Sequence, residues 1–198
     1  PWPRSHVSAG AAAMNASAMR QQASWASGNK DAQSRLLTAQ TQYTADEGRL
    51  RAARDLTRRT IAIELPDRKE AAAGDEISAA LREAEYGNTE LARKDIHAAL
   101  ALEPGPDPLV ALVWARLGDA PQAEALLHQL VHDSPLDTSL NNYWVPTIQA
   151  ALALHAATPA ALHAALAALD KATPYELGEP QPNIGDLSPL YPVYLRGQ

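Results

Sequence analysis

Residues 87–135 read GNTELARKDIHAALALEPGPDPLVALVWARLGDAPQAEALLHQLVHDSP, and they hold one pattern twice. Gly87, Ala92 and Pro104 form the first copy; Gly118, Ala123 and Pro135 form the second. In both, Ala follows the Gly by 5 residues and Pro follows it by 17. Asn88 and Asp119 stand directly after the glycines. A Gly-Asn or Gly-Asp pair ends one helix and caps the next. The Ala lets two helices approach closely, and the Pro stops the second helix. The pattern therefore predicts a helix–turn–helix unit used at least twice.

Outward from this stretch the frame recurs. Gly48, Ala53 and Pro66 form a copy whose Pro falls one residue late. Ala157, Leu162 and Pro174 form a degenerate fourth copy, with Leu at the Ala position. Helices are expected over residues 11–27, 31–47, 49–65, 68–86, 88–102, 108–118, 119–134, 137–157 and 160–171. Asp67 with Glu70 three residues on is a capping-box signature. Asp107-Pro108 and Thr158-Pro159 each put a cap before a proline in the first turn. Pro146 removes the hydrogen bond to Asn142, so a kink is expected there. Residues 173–188 read as a Pro- and Gly-rich loop. Ser188-Pro189 then opens a helix carrying Leu190, Tyr191, Val193, Tyr194 and Leu195.

Composition agrees with an all-helical chain. Apolar residues make up 46% of the 198, yet there is no Phe. A core of Ala and Leu suits close helix–helix packing better than a β-sandwich. The absence of Cys excludes disulfides, thiolate metal sites and cysteine nucleophiles. No apolar run approaches the about 18 residues of a membrane span. The chain opens on Pro1 without a Met, and both ends read as cut from something longer.

The net charge of −6 is uneven. Residues 1–69 hold 11 Lys/Arg and 6 Asp/Glu, whereas residues 70–198 hold 6 and 17. Arg49, Arg51, Arg54, Arg58 and Arg59 form the basic cluster. It lacks interleaved aromatics and reads as a solvated helix face rather than a nucleic-acid contact.

The helix-turn marks at 48, 87, 118 and 157 are spaced by 39, 31 and 39 residues. A tetratricopeptide repeat has a period of about 34 residues, and its second helix carries this Gly-Asp, Ala and Pro signature. The chain resembles that repeat over residues 30–174. In first helices only Ala111 and Trp114 match its small and aromatic positions. The expected fold is an all-α, right-handed α-solenoid of antiparallel helix pairs. It would occupy residues 14–198, truncated at its C-terminal end, behind an irregular segment 1–13.

A closer resemblance lies in residues 19–25 (MRQQASW), 48–54 (GRLRAAR), 80–88 (ALREAEYGN), 143–148 (YWVPTI) and 189–197 (PLYPVYLRG). These segments look like the tetratricopeptide-like C-terminal region of bacterial membrane-anchored serine/threonine protein kinases, of the sort numerous in acidobacteria. The resemblance implies a kinase domain and a membrane span upstream, with this region as a sensory or docking module. The kinase's own motifs are absent from this sequence: no Gly-rich phosphate loop, catalytic-loop Asp or Asp-Phe-Gly.

No constellation asks for chemistry. His128 and His132 are spaced i, i+4 beside Asp133, but a zinc site needs a third ligand, and Leu130 and Val131 stand where a glutamate would. Glu83 and Glu85 point to different sides of a helix and are not a catalytic pair. No enzymatic activity, metal or cofactor is expected.

Repeat arrays bind on the concave face lined by their first helices. By the frame, that face carries Arg35, Thr38, Gln42, Ile77, Leu81, Leu112, Tyr143, Trp144 and Thr147. Ile77, Leu81 and Leu112 are weighed as core. Arg35, Gln42, Tyr143, Trp144 and Thr147 are the candidate binding residues, with Tyr143 and Trp144 as exposed anchors. The expected partner is a protein or peptide, with no nucleic acid and no membrane contact. Self-association is the alternative, motivated by the charge split and by the unfinished stripe over residues 190–195.

Overall fold

The computed structural model describes residues 28–176 and 190–198. The expected helix over 11–27 and the irregular segment 1–13 lie outside these. Among the described residues the structure is helical throughout, without strands. The chain divides between Asp75 and Glu76 into two compact units.

The first unit holds α1 (Lys30–Asp46), α2 (Leu50–Glu64) and the start of α3 (Lys69–Glu85). Helices α1 and α2 pack as a hairpin. Their buried stripes are small and polar: Ser34, Leu37, Thr41, Thr44 and Ala45 from α1, and Ala53, Thr57, Thr60 and Glu64 from α2. Thr57 and Thr60 satisfy their hydroxyls by donating to the carbonyls of Ala53 and Leu56, at 3.1 Å each. Glu64 is buried, accepts from Ser34, and is neutralised by Arg68 at 2.6 Å. On the opposite face of α2, Arg51, Arg58 and Arg59 are exposed. Arg58 pairs with Asp55 and Arg49 with Glu47.

The second unit holds the rest of α3, then α4 (Thr89–Leu102), α5 (Pro108–Arg116), α6 (Ala120–Asp133), α7 (Val145–Ala156), α8 (Pro159–Ala172) and α9 (Tyr191–Arg196). Helices α5 and α6 pack as one neighbouring pair and α7 and α8 as another, while α5 also packs on α7. One apolar core runs through them, with Ile96, Leu112, Ile148, Leu169 and Leu195 almost fully buried. Ile77, Leu81 and Leu112 belong to it, as core packing requires.

The turn marks are three copies of one local structure. Gly48, Gly87 and Gly118 have φ of 74°, 74° and 73°. Each glycine N–H donates three residues back, to Ala45, Ala84 and Ala115. The N–H after each donates five back, to Thr44, Glu83 and Trp114. This double bond is the Schellman ending, which consumes the carbonyls a helix terminus leaves open. At the fourth mark Ala157 itself takes φ 51°. Ala53, Ala92 and Ala123 are each 0% exposed, whereas Leu162 is 39% exposed. The degenerate copy keeps the left-handed residue but not the paired bonds, since Ala157 donates four residues back to Ala153. Its helix buries Ala165, Leu169 and Ala172 instead.

Two expected caps are corrected. Asn88 and Asp119 make no side-chain cap bond. Asn88 donates to Glu83 at 2.8 Å, and Asp119 pairs with Arg93 at 3.2 Å. The Schellman turn carries the chain into the next helix without their help. Asn29, Asp107 and Thr158 do cap, accepting from the N–H of Ala32, Leu109 and Ala161. The kink at Pro146 takes the form of a π turn, Leu140–Trp144, leading into α7. Without an N–H on Pro146, the chain widens by a residue, and Val145 donates to Leu140.

Candidate functional site

The sequence-predicted binding residues do not behave alike. Arg35 is exposed, and Gln42 is half-buried and donates to Asp46 at 3.2 Å. Tyr143 and Trp144 are 7% and 6% exposed and Thr147 is 0%. The two aromatics are therefore core groups, not the exposed anchors expected of them. The π turn rotates both into the interior, where their rings meet edge to face, centroids 5.1 Å apart. Thr147 donates to the carbonyl of Tyr143 and so helps to close that turn. Burial pushes the Tyr143 phenol up, with the Glu176 carboxylate adding to it.

The histidine pair on α6 is exposed, and His132 leans on Asp133 at 3.0 Å. Among the described residues no group of three metal-ligating side chains comes together. No described helix is long and apolar enough to cross a membrane.

A dense polar constellation lies where α9 meets the ends of α3 and α5. Glu85, in the last turn of α3, faces Arg116, in the last turn of α5. The guanidinium lies against the carboxylate: an Nη donates to Oε2 at 2.9 Å, and Nε, 2.7 Å from Oε1, makes an ionic contact without hydrogen-bond geometry. Both side chains are mostly buried, at 17% and 15% exposure. Two phenols complete the carboxylate's shell. Tyr191 donates to Oε1, and Tyr194 donates to Oε2 at 2.6 Å. Gln198 closes the ring, accepting from Arg116 at 2.9 Å and donating to the Tyr194 hydroxyl. Burial and the neighbouring carboxylate raise both phenols, Tyr194 to about 12, so both stay protonated donors.

A second anchor holds the other side of α9. Arg196 pairs with the buried Glu176 at 2.5 Å and donates to the carbonyl of Leu169 and the hydroxyl of Thr173, each at 2.7 Å. It neutralises a carboxylate and satisfies an open carbonyl at the end of α8. Between the anchors, Tyr191, Pro192 and Leu195 are buried, whereas Leu190, Val193 and Tyr194 are each 45% exposed. The stripe over residues 190–195, expected to await a partner, is thus partly buried by the chain itself.

No protein-family model, curated protein or solved structure matches the chain significantly. The site is thus read from its own geometry. It combines a hydrogen-bonded ion pair, two directed hydroxyl donors from α9 and the buried Tyr191, Pro192 and Leu195. Glu83 and Glu85 point to different partners, Asn88 and Arg116, as their adjacent positions demanded. In the sequence Glu85 is weighed only as half of a catalytic pair with Glu83, and Arg116 is not singled out. Their signal is faint: a charge in the last turn before each Gly mark, at 85 and 116, opposite in sign.

Proposed function

We propose that this chain is a non-catalytic protein-interaction module, built as a right-handed, tetratricopeptide-like solenoid of antiparallel helix pairs. The observation that carries this reading is the threefold recurrence of one turn. Gly48, Gly87 and Gly118 share a conformation and a hydrogen-bond pattern, and each is followed five residues later by a fully buried Ala. Repetition of one helix–turn–helix unit is how α-solenoids extend a surface for partners.

The resemblance to the C-terminal region of bacterial serine/threonine kinases supports a place in a larger signalling protein, with this region as its sensory or docking part. Glu85, Arg116 and Glu176 are engaged in ion pairs within the chain, and none of the three is set beside a nucleophile as its base, which supports the non-catalytic reading. The test is a partner screen by pull-down and isothermal titration with the whole chain. Binding of a protein or peptide is expected. Failure to find one, together with turnover of a small substrate, would overturn the proposal.

A further inference from the structure

Helix α9 does not sit as the next first helix of a stack. In a nearest-neighbour array it would follow α3, α5 and α7, three packing distances or about 25–30 Å from α3. Yet Tyr191 and Tyr194 hydrogen-bond Glu85 of α3, 106 and 109 residues back in the chain. Its other anchor, Arg196, grips the end of α8. That end lies by the start of α7, where Asn142 donates to Tyr175. Glu85 and Arg116 lie toward the opposite end of α7, since Gly118 abuts His155 in the last turn of α7. So α9 lies across its neighbours rather than beside them.

It is also held as a ligand is held. A helix of 6 residues has no stability of its own, because isolated helices below about 12–15 residues are marginal. Its hold comes from three buried side chains and a set of directed bonds to charged groups on α3, α5 and the segment after α8. Tyr191 and Tyr194 are spaced i, i+3, which puts both hydroxyls on one helix face and onto the two oxygens of one carboxylate.

We propose that Glu85 and Arg116 form a peptide-recognition site, that α9 is its built-in occupant, and that its external partners are short helices carrying Tyr-x-x-Tyr. Such a helix competes with α9 for the same carboxylate. This deepens the interaction-module reading and rests on it. Glu85 supplies both acceptors, Arg116 holds Glu85 in place, and the seat vacated by Tyr191 and Leu195 receives the partner's apolar side chains. In the resting chain the site is closed, and apparent affinity falls by the fraction of molecules in which α9 is lifted.

The test compares the full 198-residue chain with its Tyr191→Phe/Tyr194→Phe variant, which keeps the rings and deletes the hydroxyls. The probe is a fluorescently labelled peptide spanning residues 190–198, followed by anisotropy. The variant is expected to bind it about tenfold tighter or more than the native chain, because its own segment no longer competes. Adding Glu85→Ala to the variant is expected to abolish binding. Equal affinity for variant and native chain overturns the proposal, and so does binding that survives Glu85→Ala. Amide exchange on the native chain guards against a variant that misfolds. The amides of residues 191 and 193–196 are expected to exchange by local opening, faster than those of α7. Exchange of both only through global unfolding overturns the proposal. A protein partner whose binding ignores Glu85→Ala would sink this site and leave the interaction-module reading standing.

Discussion

Glu85 and Arg116, 31 residues apart, meet in a hydrogen-bonded ion pair that joins the last turns of α3 and α5. Each ends its helix two residues before a Gly mark.

Arg116→Ala strips the cation from a mostly buried carboxylate. Breaking such a pair costs about 3 kcal/mol. Glu85→Ala also removes the acceptor of both phenols. Because all four groups share one network, the double variant is expected to lose less than the sum of the singles, by about 1 kcal/mol or more. Urea denaturation of the four proteins of the cycle measures this. Strict additivity would mean that the two side chains act independently.

Alkaline pH is expected to loosen α9. Tyr191 and Tyr194 hold folded-state values above the ordinary phenol value of 10, Tyr194 at about 12. The folded state keeps protons that the unfolded chain releases. Their contribution is therefore fully present below pH 10 and falls as pH rises through the folded values. Tyr143 is raised too, so part of the alkaline loss belongs to the core. The Tyr191→Phe/Tyr194→Phe variant isolates the difference. Its melting temperature is expected to fall less steeply above pH 10 than that of the native chain. Parallel slopes would sink the assignment.

The contrast among the copies of the frame gives a packing prediction. Ala53, Ala92 and Ala123 are fully buried. Replacing any one with Leu is expected to cost about 1–3 kcal/mol by overpacking. Leu162 occupies the same place in the fourth copy and is 39% exposed. Leu162→Ala is expected to stay within about 0.5 kcal/mol of the native chain. Chemical denaturation decides it, and a large loss at Leu162 would show that the fourth copy packs like the rest.

These copies also show what a sequence makes legible. Gly, Ala and Pro at fixed offsets act locally: a positive φ, a close approach and a missing donor each leave a mark within one helix. So helix ends and turns could be read directly, and Glu64, Leu102, Asp133 and Ala172 all end helices two residues before a frame Pro. The site could not be read this way. Glu85 looks like any surface acid until Arg116 and, 106 residues on, Tyr191 are brought to it. Tyr143 and Trp144 were misjudged for a related reason. Their fate depends on the π turn that Pro146 forces, and that turn changes which side of the helix faces the core. Asn88 and Asp119 have cap chemistry, but Glu83 and Arg93 claim their side chains, and the glycine turn leaves them free to be claimed.

The glycine turns supply a last test, because two of them differ only in their surroundings. Gly87 and Gly118 have φ of 74° and 73°. A Cβ on Gly87 meets open space, whereas one on Gly118 runs into the His155 imidazole. Gly87→Ala should then report backbone strain alone, about 1–2 kcal/mol. Gly118→Ala adds displacement of the His155 ring from the α5–α6 turn and is expected to cost more. If the ring is the cause, His155→Ala will bring the cost of Gly118→Ala down to that of Gly87→Ala, measured as paired differences in urea midpoint at constant slope. An excess at Gly118 that survives His155→Ala would place the conflict in the backbone of α5 and α6. No excess at all would mean that the exposed ring swings aside without cost, and the contact of α7 with this turn would then carry no stability.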